Sequence, residues 1–162
     1  MQIGIISDTH DNLSNLKKAI DILKEKKVDT VIHGGDFVSP FVLRAMEDLI
    51  SNLTGVFGNN DGDKLMLRSI AEKAGWDIQN PPYAFDLDRK KALLLHEPDI
   101  LDTAVKSGLY DVIIYGHTHK SDIKREGKTL IINPGEAGGW LSGKGSAVIL
   151  DTDTMQEEFF TF

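Results

Sequence analysis

The segment Ile3-Gly4-Ile5-Ile6-Ser7-Asp8-Thr9-His10 opens the chain with an apolar run that ends on a carboxylate and an imidazole. A short aliphatic run closed by polar residues is typical of a buried β-strand. In an open sheet, ligands bind in the crevice beyond the carboxyl ends of such strands. The segment therefore predicts a buried first strand whose end carries Asp8 and His10 into a binding site.

Four further apolar runs end in the same way, on clusters that contain Asp, Asn or His. They are Thr30-Val31-Ile32-His33 before Gly34-Gly35-Asp36, Thr54-Gly55-Val56-Phe57 before Gly58-Asn59-Asn60-Asp61, Ala92-Leu93-Leu94-Leu95 before His96, and Val112-Ile113-Ile114-Tyr115 before Gly116-His117-Thr118-His119. We expect the five strand ends to meet at one rim, where carboxylates, carboxamides and imidazoles would form a metal site.

Helical spacing of apolar residues follows the first three clusters. Expected helices run from Asp11-Asn12 through Leu23, from Ser39-Pro40 with the apolar face Phe41, Val42, Ala45, Met46 and Leu49, and from near Asp61-Gly62 to Gly75. Asp11, Asn12 and Asp63 are interpreted as helix-entry residues, because Asp and Asn favour such positions.

The second half is predicted to be mostly strands. We expect a hairpin of Tyr83 to Asp88 and Lys91 to Leu95, a short helix at 100–107, and strands at 111–115, 121–126, 128–132, 146–151 and 156–161. The Gly-rich stretch from Gly135 to Gly145, which includes Trp140, is predicted to be a loop at the rim. This order favours an α/β (α+β) fold with two packed sheets and helices outside, in one domain spanning 1–162; the alternative is a single doubly wound sheet with an antiparallel extension.

Composition limits the classes of function. The 162 residues carry a net charge of −7, which argues against binding nucleic acid through a broad basic surface. No apolar run reaches the roughly 20 residues that cross a bilayer, and no signal peptide is expected, so a cytoplasmic location is predicted. The chain has no Cys, so any metal must be bound by nitrogen and oxygen.

The clusters supply such ligands. Asp8 and His10 are two residues apart, as are His117 and His119, so each pair would point to one side of an extended segment. The candidate ligands are Asp8, His10, Asp36, Asn59, His96, His117 and His119. Seven side chains exceed the needs of one ion and suit two ions bridged by a carboxylate, for which Asp36 is a plausible choice.

A lone Asp or Asn after a strand is more often a helix cap, and a lone His is more often simply hydrogen-bonded. Here four of the five His residues lie in the clusters, which favours a metal site. The fifth, His33, is interpreted as a core residue or as one that orients a ligand by hydrogen bonding.

Asp-x-His, Gly-Asp, Gly-Asn-x-Asp, a His after an apolar strand and Gly-His-x-His follow one another in the order found in calcineurin-like metallophosphoesterases. The chain resembles the small single-domain YfcE/MJ0936-like phosphodiesterases of this family, from Asp8 to His119 and on through Asn133-Pro134-Gly135. The resemblance implies a four-layer αββα sandwich of two mixed sheets with a dinuclear centre. One ion would take Asp8, His10, Asp36 and His119, and the other would take Asp36, Asn59, His96 and His117.

The implied activity is hydrolysis of phosphodiesters, and of monoesters as a second class, through attack on phosphorus by a hydroxide that bridges the two ions. Two divalent ions outweigh the charges of Asp8 and Asp36, so the centre would attract phosphate. Manganese is the first expectation, with nickel, iron, zinc, cobalt or magnesium as alternatives. Catalytic roles are assigned to His10, Asn60 and Asp61, and substrate contacts to Asn60 and His117.

Two positions depart from the family pattern. Asn60 stands where relatives carry a His that protonates the leaving group, and a carboxamide cannot act as a general acid near neutral pH. Because such an acid contributes ~10²–10⁴-fold, activated esters should be preferred over alkyl esters. Glu97 follows His96 where relatives often have Gly; it is either a substitute acid or, as we favour, a solvated side chain.

Two rival hypotheses remain at this point. One is a protein-binding scaffold like the retromer subunit that shares the fold, and the other is a mononuclear metal-binding domain without turnover. The complete ligand set favours the enzyme. The expected partner is a small phosphoester, with no membrane and no stable nucleic-acid complex, and a homodimer or larger homo-oligomer is predicted.

Overall fold

The computed structural model describes residues 1–47 and 50–162, and these form four helices and eleven strands. In chain order they are β1 (Gln2–Ile6), α1 (Leu13–Glu25), β2 (Thr30–His33), α2 (Pro40–Glu47), β3 (Leu53–Val56), α3 (Lys64–Ala74), β4 (Asp77–Gln79), β5 (Tyr83–Leu87), β6 (Lys90–Leu94), α4 (Leu101–Ser107), β7 (Val112–Ile114), β8 (Asp122–Glu126), β9 (Thr129–Asn133), β10 (Ser146–Asp151) and β11 (Gln156–Thr161). Leu49, predicted on the apolar face of the second helix, lies outside the described residues.

The strands form two mixed sheets, which rules out the single-sheet alternative. The six-stranded sheet has the order β11-β10-β1-β2-β3-β4, and the five-stranded sheet has the order β5-β6-β7-β9-β8. Strands β1, β2, β3 and β4 are parallel, as are β6, β7 and β9, while β5, β8, β10 and β11 pair antiparallel. Because β1, β2 and β3 are parallel, their carboxyl ends lie at the same edge of their sheet. The same holds for β6 and β7 in the other sheet.

Successive side chains point to opposite faces of each strand, so each sheet has one apolar core on each of its two faces. In β1, Ile3 and Ile5 pack between the sheets, whereas Ile6 packs beneath the helices on the outer face. In β6, Leu94 lies between the sheets and Leu93 contacts the cluster that contains α4 residues. Each side chain of this size stabilises the fold by roughly 1.5–3 kcal/mol when fully buried. Helices α1, α2 and α3 cover one sheet and α4 covers the other, so the predicted αββα sandwich is confirmed.

Side-chain caps set where two helices begin. The Asn12 side chain accepts the N–H of Asn15 at the start of α1, and the Asp63 side chain accepts the N–H of Met66 at the start of α3, so these two helix-entry predictions are confirmed. Helix α3 begins at Lys64, two residues after the expected start near Asp61-Gly62. Asp11 instead accepts a hydrogen bond from the Ser39 hydroxyl at 2.6 Å. Among the described residues, none of the helices has the length and apolar character needed to cross a membrane.

Strand β4 was not predicted. It has three residues, in which Ile78 is buried between two polar neighbours, and it pairs parallel with β3 at the edge of the sheet. A segment of this length has too few alternating positions to show a strand pattern. The hairpin of β5 and β6 and the strands from β7 to β11 lie where they were expected, within one or two residues.

Candidate metal centre

The rim predicted from the five strand ends lies where the two sheets meet. The backbone N–H of Asp8 donates to the carbonyl of Gly35 at 3.0 Å, which joins the loops after β1 and β2. The backbone N–H of His117 donates to the Asp8 carboxylate at 3.0 Å, and the imidazole of His96 contacts the carbonyl of Gly34 at 2.8 Å. The last two contacts join the sheets directly. The backbone N–H of Asp36 donates to the Asp61 carboxylate at 3.2 Å, which adds the loop after β3, so five separate strand ends form one site.

Five candidate ligands have left-handed backbone conformations. The φ angles of Asp8, His10, Asp36, His117 and His119 lie between 43° and 65°. Residues with a Cβ adopt this region infrequently, at a cost of order 1–3 kcal/mol each, and such residues cluster at functional sites. The expectation that Asp8 and His10, or His117 and His119, share an extended segment is wrong. The side chains converge because the backbone turns sharply at these positions.

The first group of ligand atoms belongs to Asp8, His10 and His119. The Nε2 atoms of His10 and His119 lie 3.2 Å apart, and they are 3.8 Å and 3.6 Å from Oδ1 of Asp8. All of these donor atoms lie within 4.8 Å of one another. Nitrogen and carboxylate atoms that converge in this way fit a divalent transition-metal ion.

The second group contains Asp8, Asp36 and His96, whose ligand atoms also lie within 4.8 Å of one another. Nε2 of His96 is 3.4 Å from Oδ2 of Asp36. Oδ1 of Asn59 lies 2.8 Å from Nε2 of His96 and 3.0 Å from Nδ1 of His117. The structure therefore brings all seven sequence-predicted ligands to one place.

Hydrogen bonds behind the imidazoles point their ligand nitrogens at the centre. Nδ1 of His119 lies 2.9 Å from the Glu136 carboxylate, and Nδ1 of His96 lies 2.8 Å from the carbonyl of Gly34. An acceptor at Nδ1 keeps the proton there and leaves the lone pair on Nε2, which is the arrangement that metal-binding histidines use. These contacts show that the residues fit bound metal ions.

Glu136 was missed by sequence reasoning. It is only 1% exposed and lies in the Gly-rich loop after β9, where its other oxygen accepts the backbone N–H groups of Leu141 and Ser142 at 2.9 Å and 2.5 Å. Burial raises the pKa of the Glu136 carboxyl, but the hydrogen bonds from His119 and Ser142 outweigh it and hold the pKa below its ordinary value. The sequence signal that could have indicated Glu136 is a carboxylate standing alone among the small residues Gly135, Ala137 and Gly138.

The charges at the site call for a cation. Asp8 and Asp36 are fully buried, and among the described residues the basic groups within ion-pair distance of them are histidines, not Lys or Arg. Burial opposes ionisation of Asp36, yet contacts with His96 and Asn60 hold the pKa of its carboxyl well below the usual range. The hydrogen bond to Asp8 raises the pKa of His10 against the opposing effect of desolvation. Histidines and hydrogen bonds supply part of the compensation that these buried carboxylates need, and a divalent cation would supply more.

The residues given catalytic roles occupy different positions around the centre. The Asn60 side chain donates to Oδ2 of Asp36 at 2.8 Å, and its backbone N–H donates to Oδ1 of the same carboxylate. Asp61 is buried and accepts the N–H groups of Gly58, Val38 and Asp36, so it holds the turn that presents Asp36. Burial raises the pKa of Asp61, although these hydrogen bonds oppose the shift.

Two other residues lie as the sequence reasoning favoured. The side chain of Glu97 is exposed. His33 is fully buried, stacks on Phe37 with ring centroids 3.8 Å apart, accepts the N–H of Gly35 and contacts the Thr9 hydroxyl. These contacts of His33 brace the loops after β1 and β2.

The Gly-rich loop borders the centre, as predicted. The indole N–H of Trp140 donates to the carbonyl of His10 at 3.0 Å, while the rest of the side chain is largely exposed. The side-chain amides of Asn12 and Asn15 both donate to the carbonyl of Gly138. These contacts hold the loop against the segment that carries Asp8 and His10.

Comparison with known proteins identifies relatives of this chain. The calcineurin-like phosphoesterase superfamily domain matches residues 1–155. The phosphodiesterase MJ0936 of Methanocaldococcus jannaschii is 44% identical over 159 residues, which cover 96% of each chain. A solved structure of an archaeal phosphodiesterase superposes with a TM-score of 0.95 at 41% identity, covering both chains completely.

More distant structures share the fold alone. Vps29 of Entamoeba histolytica matches 100% of this chain and 99% of its own with a TM-score of 0.72 at 20% identity. The phosphoesterase YfcE of E. coli matches 99% of this chain and 97% of its own with a TM-score of 0.70 at 19% identity. The family match over nearly the whole chain, together with the 44% identical relative, shows that this protein belongs to the calcineurin-like phosphoesterase superfamily.

Proposed function

We propose that this protein is a metal-dependent phosphodiesterase with two divalent ions, one bound by Asp8, His10, Asp36 and His119 and the other by Asp36, Asn59, His96 and His117. The observation that carries the proposal is the convergence of two buried carboxylates, an Asn oxygen and four imidazoles on one rim. The phosphodiesterase name of the 44% identical relative supports the same reaction class.

Asp36 is the proposed bridge between the ions. Its Oδ2 atom lies 3.4 Å from Nε2 of His10 and 3.4 Å from Nε2 of His96, and these imidazoles are assigned to different ions. Asp8 also has a ligand atom in both groups, and both carboxylates accept backbone hydrogen bonds, Asp8 from His117 and Asp36 from Asn60. The equal distances from Oδ2 of Asp36 to the two imidazoles are what favour Asp36 as the bridge.

Divalent ions, when bound, lower the pKa of coordinated water and neutralise charge on the phosphoryl oxygens. The chain's own residues arrange the reactants. His117 and Asn60 are exposed beside the ligand cluster, where their side chains can contact a phosphate oxygen. Asp61 keeps the loop after β3 in the conformation that positions Asp36 and Asn60.

Asn60 sets the proposed preference for activated esters, because its amide donates a hydrogen bond but no proton. Rates for a series of aryl and alkyl diesters should fall steeply as the pKa of the leaving alcohol rises. Replacing Asn60 by His should make that dependence shallower by restoring an acid worth ~10²–10⁴-fold for poor leaving groups. A flat dependence in the natural protein would contradict the assignment.

Metal analysis and turnover together test the proposal. After mild chelation and reloading with Mn²⁺ or Ni²⁺, we expect two ions per chain and hydrolysis of bis-p-nitrophenyl phosphate. Asp36→Asn should lose ions and activity, whereas Asp86→Asn, at an exposed carboxylate on β5, should keep both. Two bound ions without turnover would favour a scaffold, and one bound ion would favour a mononuclear binding domain.

A further inference from the structure

A cavity of about 340 Å³ opens beside the proposed metal centre. Asn59 and His96, two of the proposed ligands, form part of its wall. The remaining wall comes from the end of β3, the start of α3, the segment before β5 and the loop that leads into α4. A phosphoester held at the centre would therefore direct one of its two substituents into this cavity.

The surface away from the ligands is mostly apolar. It is formed by Phe57, Leu95, Pro81, Pro82 and Ile100. Phe57 and Leu95 are almost fully buried, whereas Ile100 is 43% exposed and lies just before α4. Small-molecule sites have volumes from about 300 to 1,000 Å³, so this cavity has room for a single ring system.

The charged residues of the cavity define which groups it accepts. Lys64 is the one cation among its lining residues, and Glu97 and Asp99 are two anions. The Lys64 ammonium lies 5.6 Å from the centre of the Phe57 ring, in a cation–π position. Arg68 lies over the same ring at 5.6 Å, so the charges around the cavity are nearly balanced. A substituent with its own carboxylate or phosphate is disfavoured because the apolar wall would remove that group from water without pairing it.

We propose that this cavity binds an uncharged aromatic or heteroaromatic substituent of the phosphodiester. Flat rings match the apolar wall of prolines, phenylalanine and aliphatic side chains, since they gain from apolar burial and lose little conformational entropy. This inference rests on the proposed function, because the phosphate must be held at the metal centre to direct its substituent into the cavity.

Calorimetric titration of the Mn²⁺-loaded protein tests the apolar wall. Diphenyl phosphate and dimethyl phosphate have the same charge and differ in their substituents, and we expect the diphenyl ester to bind at least about tenfold more tightly. Ile100→Ala should reduce the preference for the diphenyl ester several-fold and leave the affinity for dimethyl phosphate unchanged. Leu109→Ala is the matched control, because this exposed leucine follows the other end of α4 and is not among the lining residues.

Two further measurements test charge and catalysis. Bis(4-carboxyphenyl) phosphate should bind more weakly than diphenyl phosphate. Asp99→Asn should make the affinities of the two esters more similar. For bis-p-nitrophenyl phosphate, Ile100→Ala should raise KM with little change in kcat, since Ile100 touches the substituent and not the reacting atoms.

The outcomes separate this inference from the proposed function. Hydrolysis with equal binding of the diphenyl and dimethyl esters, or an equal effect of Ile100→Ala and Leu109→Ala, would overturn the cavity assignment alone. Tight, Ile100-dependent binding of diphenyl phosphate without hydrolysis of bis-p-nitrophenyl phosphate would support the cavity and overturn the phosphodiesterase. A protein that binds neither Mn²⁺ nor either ester would overturn both.

Discussion

Replacing the buried Glu136 by glutamine should weaken Mn²⁺ binding about 10- to 100-fold, the usual cost of losing a hydrogen bond behind a metal-binding histidine. That range corresponds to about 1.4–2.7 kcal/mol. The two oxygens of Glu136 have different main partners. Oε1 accepts the N–H groups of Leu141 and Ser142, whereas Oε2 lies 2.9 Å from Nδ1 of His119 and accepts the Leu141 N–H only at the longer distance of 3.2 Å.

Glutamine can keep the hydrogen bonds from Leu141 and Ser142, but it exchanges donor and acceptor in the contact with His119. Its oxygen can accept from the loop, so its NH₂ group must face Nδ1 of His119. Nδ1 then becomes an acceptor, and the proton moves to Nε2, the nitrogen that faces Asp8 and His10. Metal binding must first reverse this tautomer, which lowers the affinity without removing a ligand.

Calorimetric titration of chelated protein with Mn²⁺, combined with thermal unfolding of the metal-free form, measures both effects. Glu97→Gln is the matched control, because it makes the same substitution at an exposed carboxylate beside another ligand. Equal Mn²⁺ affinities for the natural protein and Glu136→Gln would refute the reasoning. Glu136→Ala should also destabilise the metal-free protein, by roughly 1–3 kcal/mol in total, because it removes the acceptor of two part-buried hydrogen bonds.

Three further predictions concern residues that support the centre. A methyl group at Gly58 would overlap the carboxylate and backbone nitrogen of Asp36, so Gly58→Ala should lower the free energy of unfolding by roughly 1–3 kcal/mol. The same variant should gain less thermal stability from Mn²⁺ than the natural protein. An unchanged gain from Mn²⁺ would show that the loop relaxes. Burial lowers the pKa of His33 from 6.5 to about 3, so between these pH values the unfolded chain binds a proton that the native protein does not. The free energy of unfolding should therefore fall as pH drops from 6.5 towards 3, by up to about 1.4 kcal/mol per pH unit. Urea unfolding at pH 7 and 5 should show that His33→Gln removes this part of the pH dependence. Asn12→Ala should cost about 2 kcal/mol against about 1 kcal/mol for Asp63→Ala, because Asn12 caps a helix and also donates to the Gly-rich loop, and equal losses in denaturant would contradict that second contribution.

The agreement between sequence and structure is best where one local pattern controls one element. The apolar residues of β1 alternate between two cores, and the capping residues Asn12 and Asp63 precede regular helical spacing. Strand β4 was missed because its pairing with β3 decides its conformation. For Asp8 and His10, the sequence indicated the right site for the wrong reason, since the left-handed backbone and not an extended segment brings them together.

By itself the sequence determined that strand ends carry Asp, Asn and His to a common rim, because strand polarity and hydrophobic periodicity are local properties. Only the tertiary structure decided which nitrogen of each imidazole faces the centre, because that depends on hydrogen bonds to distant residues such as Glu136 and Gly34. The cavity beside His96 is also a tertiary feature, since Phe57, Pro82 and Ile100 come from three separate segments. The candidate ligands could be named from the chain, whereas the orientation of their side chains and the cavity beside them required the packing of the two sheets.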